Sequence, residues 1–154
     1  MKVVRTEETA WSDGMQRGAF FQRRKKLLGD VIASSVWELP AGKKSFPFHR
    51  HSATEEALFV LSGSAKVRSD KGLTDIGKGD FVSFTAGEDA HQLINDGAEP
   101  LVYLAMSVSK RLDVTEYPDS NKIHVVAGSG PSSKSYVFRQ TDTVGYFDGE
   151  PDAG

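Results

Sequence analysis

From position 31 onward the chain alternates apolar and polar residues in short runs. Val31, Ala33, Ser35, Trp37 and Leu39 share one face of an extended segment, because successive side chains on a strand point to opposite sides. The same pattern predicts strands over 31–39, 45–51, 56–61, 65–68, 73–76, 81–84, 91–94 and 101–108, with Pro47 marking an edge position or a bulge. Turn signals separate them: Pro40-Ala41-Gly42, Ser62-Gly63, Asp70-Lys71-Gly72, Gly77-Lys78-Gly79-Asp80 and Asp96-Gly97. Short strands with turn signals at intervals of about 8–12 residues define an all-β sandwich or barrel. No stretch between 31 and 108 carries a helical period.

The flanks are less regular. Residues 1–19 form a mixed-charge arm whose one large apolar anchor is Trp11; it reads as a flexible or edge-packing arm, with docking on a second subunit as the alternative. The basic run Arg23-Arg24-Lys25-Lys26, flanked by Phe20, Phe21, Leu27 and Leu28, reads as a solvated turn or edge strand. It lacks the interleaved aromatics or glycine loop of a phosphate site. Beyond Val108 the register weakens: Tyr117-Pro118-Asp119-Ser120 is a turn, 128–135 a Gly/Ser/Pro-rich linker, and 136–139 one further strand. Tyr146 and Phe147 stand in a polar end that covers the barrel or simply trails. The expected organisation is a single domain over 1–154, with a core barrel at about 31–108, an N-terminal arm at about 1–19 and a C-terminal extension at about 109–154.

Composition narrows the chemistry. A chain of 154 residues is a one-domain length that buries roughly two thirds of its unfolded surface. With 38% hydrophobic and 26% charged residues it is a globular chain and not a disordered one. A net charge of −2 and a pI near 6.1 give no global attraction for nucleic acid or an anionic membrane, so neither is an expected partner. No apolar run approaches the roughly 20 residues of a membrane helix, and the first 30 residues are too charged for a signal peptide. A cytoplasmic location is the expectation. The absence of cysteine excludes disulfides, thiolate sites and Cys nucleophiles, leaving any metal to nitrogen and oxygen donors.

Four histidines, at 49, 51, 91 and 124, are the main candidates. His49 and His51 project to one side of an extended strand. Glu56 opens the next strand after a four-residue spacer, short enough to return its carboxylate to the same pocket, and Glu55 beside it has the opposite parity. His91 opens a later strand. Three imidazoles and a carboxylate suit one divalent transition-metal ion (Mn, Fe, Ni, Cu or Zn), with open positions for water, dioxygen or substrate. Gln92 and Asn95 are the nearby polar groups able to accept the outer ring N–H of a metal-bound histidine, and Asn95 serves equally well to hold the turn at Asp96-Gly97. Phe48, Phe84, Tyr103 and Met106 either line the pocket or form plain core. His124 reads as a surface residue.

Gly42, His49-x-His51, a four-residue gap, Glu56, a six-residue gap and Gly63 together resemble the first motif of the cupin superfamily, with one residue more than usual before His49. Gly79, Ala86-Gly87, His91 and Asn95 resemble the second motif, with Thr85 where proline is usual and one extra residue between Gly87 and His91. Fifteen residues lie between Gly63 and Gly79, and this spacing, with Tyr117-Pro118-Asp119-Ser120, resembles small single-domain bacterial cupins. The resemblance implies a double-stranded β-helix, or jelly-roll barrel, with extended terminal segments. It implies His49, His51, Glu56 and His91 as metal ligands, and its spacing to Gly63 selects Glu56 over Glu55. It also implies a homodimer, and a metal enzyme of dioxygenase, decarboxylase or isomerase type acting on a small polar molecule. The alternative is a non-catalytic small-molecule binding or sensing module with a metal in the barrel. Outside the ligand set, no acid or tyrosine is spaced to nominate a general acid or base.

Overall fold

The structure, a computed structural model, describes residues 2–14, 16–27, 31–108, 112–128 and 132–151. Leu28 and positions 129–131 of the expected linker lie outside the described residues. Apart from one 3₁₀ turn, Pro118–Ser120, every described element is a strand. In chain order these are β1 (Ser12–Asp13), β2 (Arg23–Leu27), β3 (Ile32–Leu39), β4 (Arg50–His51), β5 (Glu56–Ser62), β6 (Ser64–Ser69) and β7 (Gly72–Gly77). They continue as β8 (Phe81–Phe84), β9 (His91–Ile94), β10 (Leu101–Val108), β11 (Leu112–Tyr117), β12 (Lys122–Ala127) and β13 (Lys134–Arg139).

All ladders are antiparallel. One sheet runs β1-β2-β3-β10-β5-β8. The facing layer comes in two pieces, β13-β12-β11-β4 and β7-β6-β9. The segment 44–49 stitches them together, through single bridges from Lys44 to Ile94 and from His49 to His91. At the second bridge each histidine amide donates to the other's carbonyl, at 3.1 and 2.7 Å. The predicted strand over 45–51 is therefore mostly irregular, as Pro47 foretold, and becomes a ladder strand only at Arg50–His51.

The two sheets close over Trp37, Leu39, Leu58, Val60, Ala65, Val67, Ile76, Leu93, Leu101 and Tyr103. Alternation explains the set: Trp37 and Leu39 on β3 face in, as do Leu58 and Val60 on β5, whereas Phe59 and Leu61 between and after them face out. The result is the jelly-roll barrel that strand spacing and motif resemblance anticipate.

The described residues of the N-terminal arm pack on the barrel. Trp11 lies beneath the Arg23 guanidinium at 4.8 Å and the Lys25 ammonium at 5.0 Å, and β1 pairs with β2. The basic run is a strand between β1 and β3, and its charges split by parity. Arg23 turns to Glu38 in a two-pronged ion pair at 2.8 and 3.0 Å, while Arg24 turns to the Trp37 side of the sheet.

Residues beyond 108 differ most from the expectation. The expected turn at Tyr117-Pro118-Asp119-Ser120 is the 3₁₀ turn Pro118–Ser120, but the strands on either side of it, β11 and β12, are unexpected, and with β13 they extend the second sheet. β13, expected over 136–139, spans Lys134–Arg139 and is exposed along its whole length. No described helix is long and apolar enough to cross a membrane.

Candidate metal centre

Three elements deliver the site. β4 and the residues just before it bring His49 and His51, β9 brings His91, and β5 in the opposite sheet brings Glu56. Gly87 secures the approach to His91: its amide donates to the His51 carbonyl at 2.7 Å, with φ at +78°, a conformation that glycine adopts without penalty. The residue added to the loop before His91 is absorbed in a turn, with Glu88 N–H on Thr85 O and Ala90 N–H on the Asp70 carboxylate.

Glu56 Oε2 stands at the centre, 3.1 Å from His91 Nε2, 3.5 Å from His51 Nε2 and 3.8 Å from His49 Nε2. Glu55, its neighbour, is exposed. The tautomers of two rings follow from their outer partners. His49 Nδ1 donates to the Pro47 carbonyl at 2.7 Å, and His51 Nδ1 donates to the Asp113 carboxylate at 2.5 Å. In each neutral ring Nε2 therefore carries a lone pair, and both lone pairs face a carboxylate oxygen that is itself an acceptor. Acceptors crowded in this way repel one another unless a cation sits among them. His49, His51 and Glu56 offer ligand atoms all within 4.8 Å of one another, so this donor set fits a divalent ion.

His91 differs. It stands outside that group of three, reaches it through Glu56, and its buried Nδ1 has no protein partner. Phe84 stacks flat on its ring, with centroids 3.8 Å apart and planes at 11°. Burial pushes the His91 pKa down, against the pull of Glu56, which keeps the ring neutral near pH 7. Burial pushes the Glu56 carboxyl up, but when the surrounding imidazoles carry protons, donation from His49 and His91 and the charge on His51 outweigh it and hold the group well below the usual carboxylate range. An anionic oxygen and neutral imidazoles are the protonation states that ligate a metal.

Asp113 is the functional residue the sequence reading misses. Besides His51 it accepts the amide of Ala53 at 2.9 Å and that of Thr54 at 3.3 Å, so it fixes both the ring and the loop leading to Glu56. Burial raises its pKa, and the His51 and amide hydrogen bonds more than reverse that effect. Thr115, two positions on and also buried, lies 3.2 Å from His51 Nδ1, and Tyr117 stacks on His49 at 6.0 Å. Asp113→Ala is expected to weaken metal binding about 10–100-fold, the usual cost of removing an outer partner. Competition against a chromogenic chelator measures it, and a change below about threefold contradicts the role.

The outer partners expected at Gln92 and Asn95 lie elsewhere. Gln92 points to the opposite side of β9 from His91 and donates to the Phe46 carbonyl at 2.8 Å. Asn95 locks the turn after β9, donating to Leu39 O and Glu99 O and accepting the Gly97 amide. Phe48 is buried beneath Arg68, whose guanidinium lies 3.9 Å from the ring and grips Asp119, and it does not line the cavity. Phe84, Tyr103 and Met106 do line it. His124 meets Ser135 at the surface, 2.8 Å away.

The cavity has a volume of about 250 Å³ and reaches His49, Glu56 and His91. Trp37, Phe46, Leu58 and Tyr103 wall it, with Ser34, Ser35, Ser45 and Ser107 as polar points. The Tyr103 hydroxyl donates to Gln22 Oε1 at 2.8 Å, and burial, then the Glu56 charge, pushes its pKa far up. Tyr103 is thereby held as a neutral donor.

A two-sheet antiparallel barrel with histidines on adjacent strands and a carboxylate from the opposite sheet is the cupin arrangement. Residues 35–107 match the family model described as the cupin domain, so this segment is a cupin domain. Among solved structures it is similar to a protein of Acidithiobacillus ferrooxidans whose name proposes a sugar phosphate isomerase. The two share 28% identity with a TM-score of 0.71, over 80% of each chain. It is also similar in fold to a cupin-superfamily sugar phosphate isomerase from Silicibacter pomeroyi, at 18% identity and a TM-score of 0.80 over 92% of this chain and 95% of that one. A predicted oxalate decarboxylase of Thermotoga maritima shares the fold at 21% identity and a TM-score of 0.63, over 71% of this chain and all of that one (100%). No curated protein matches the chain.

Proposed function

We propose that the chain is a mononuclear metal enzyme of isomerase type acting on a small, hydroxylated polar molecule. The observation that carries the reading is the convergence of His49 Nε2, His51 Nε2 and Glu56 Oε2, without intervening hydrogens, beside a cavity that His49 and Glu56 line. His49, His51, Glu56 and His91 would hold one divalent first-row ion. Such an ion supplies Lewis acidity toward a substrate oxygen. Asp113 and the Pro47 carbonyl keep two imidazoles in the ligating tautomer. Trp37, Phe46 and Phe84 limit water around the site, and the serine hydroxyls supply donors and acceptors to a hydroxylated ligand. Of the dioxygenase, decarboxylase and isomerase classes, the last is favoured because the Acidithiobacillus relative, at 28% identity, is so named.

One observation favours a second reading, a non-catalytic binding module. Among the described cavity residues, the ionisable groups outside the candidate ligands are Arg24 and the locked Tyr103, and neither is a base at neutral pH. Proton-exchange NMR separates the two. Protein loaded with Mn²⁺ or Zn²⁺ is incubated in D₂O with a panel of aldose and ketose phosphates. Isomerisation, or deuterium incorporation next to the carbonyl, supports the enzyme; binding of a panel member without exchange supports the module. Protein that takes up no ion when purified without chelator sinks both.

A further inference from the structure

The cavity holds one feature that the metal centre does not use. Arg24 lines it, half-buried, with its guanidinium carbon 5.3 Å from the centre of the Trp37 ring. Most cations near the barrel are paired: Arg23 with Glu38, Arg50 with Glu116, Lys66 with Asp75 and Asp96, Arg68 with Asp119, and Lys71 with Asp89. Arg24 forms no ion pair with any described acid. Withdrawing a guanidinium from water without a counter-charge costs free energy, and a site that keeps such a cation gains when an anion arrives.

Position reinforces the point. Arg24 pairs across the ladder with Trp37, and Trp37 with Tyr103 on β10, whereas Glu56 sits beside Ser107. Those two rows lie four positions apart on β10, about 13 Å. An aromatic wall spans the interval. Trp37 meets Phe46 edge to face at 5.4 Å, and Phe46 meets His49 at 6.3 Å in the same manner. The cavity thus runs from a cation to the histidine cluster along continuous ring surface, with no second described cation on its lining.

We infer that Arg24 is the specificity-determining anion receptor of this cavity, selecting ligands that carry an oxyanion, carboxylate or phosphate, on the end remote from the metal centre. The guanidinium fork matches either group with paired N–H donors. The inference rests on the proposed function for the far end of the ligand, but the anion preference itself depends only on Arg24.

The test uses full-length protein, both metal-loaded and stripped with chelator, and two matched pairs of probes: glycerol 3-phosphate against glycerol, and glycolate against ethylene glycol. Calorimetry reads affinity, and tryptophan emission reports on Trp37. Wild-type protein is expected to bind at least one anionic probe about 10–100-fold more tightly than its neutral counterpart. The pair that shows the preference distinguishes phosphate from carboxylate. Arg24→Met keeps a stem over Trp37 without the charge and is expected to bring the ratio near one. Arg24→Lys keeps the charge without the fork and should retain part of it. Melting temperatures confirm that both variants fold. Equal binding of charged and neutral probes by wild type, including no measurable binding of either, overturns the inference, and so does a ratio that survives in Arg24→Met. Failure of the metal reading shows separately, as stripped and metal-treated protein with identical ion content and an unchanged, Arg24-dependent ratio.

Discussion

Glu56→Gln will abolish tight metal binding while leaving the fold in place. The amide has the size of the carboxylate, but it removes the anionic oxygen that the three imidazole nitrogens face at 3.1–3.8 Å. The loss is expected to exceed about 100-fold, the upper end for removing a partner outside the ligand set. For wild type, metal at a hundred times its dissociation constant adds about 2.7 kcal/mol. In a domain of this size that raises the melting temperature by about 5–10 °C. Glu56→Gln should melt at the same temperature with and without metal, and elemental analysis should find it empty. A variant that keeps the full metal-dependent rise would show that the ion, if bound, lies elsewhere. The wild-type rise should also shrink in acid. With its pKa lowered by burial, His91 offers a neutral ring at pH 7 and begins to take a proton only below the ordinary histidine range. Over that same window the unfolded chain binds the proton first, so the ion-free protein loses stability as the pH falls from the unfolded to the folded pKa of His91.

Gly63→Ala is expected to be the most destabilising single-methyl change in the barrel. Gly63 joins β5 to β6 at φ +78°, and a Cβ there would lie 2.3 Å from the Pro100 carbonyl oxygen and 3.1 Å from the Leu101 Cα. Both contacts are backbone, at the entry to β10, which carries Tyr103 and borders the cavity. The left-handed conformation alone costs about 1–2 kcal/mol, and the clash must displace a central strand. The total is set at about 3–5 kcal/mol, or a fall in melting temperature of about 6–20 °C. Gly42→Ala is the matched control: its φ is +71°, but nothing lies within 4 Å of the added methyl. It should cost only the conformational part. Equal losses for the two variants would assign the effect to backbone conformation and not to the approach of Pro100.

The barrel was legible because its strands obey the ordinary rule of apolar in, polar out. The bounds of β8, β9 and β10 agree with the sequence reading residue for residue, and those of β3, β5, β6 and β7 differ by one or two residues. β11 escaped that reading because it breaks the rule. Leu112 is 60% exposed, whereas Asp113 and Thr115 are 8% and 4% exposed, so its polar residues face in and its first apolar residue faces out. A strand that lines a polar centre carries an inverted pattern, and hydrophobic periodicity reads it as a loop. The same inversion hid Asp113. Gln92 and Asn95 were nominated by nearness in sequence to His91, but Gln92 has the wrong parity and Asn95 spends its amide on the backbone of a turn. Arg24 was hidden in a run of four cations whose net charge says nothing about which of them turns inward.

β11 also separates two boundaries that are easily confused. The cupin match ends at residue 107, before this strand begins. A fragment trimmed to the match would keep Glu56 and all three histidines around it. It would lose the carboxylate that orients His51 and the strand against which Arg50 and His51 pair. The shared ancestry marks one unit and the chemistry requires a larger one. Swapping the matched segment between relatives would therefore carry over the ligands without the group that sets their basicity. Chimeras built at residue 107 should recover metal affinity only when β11 travels with the barrel.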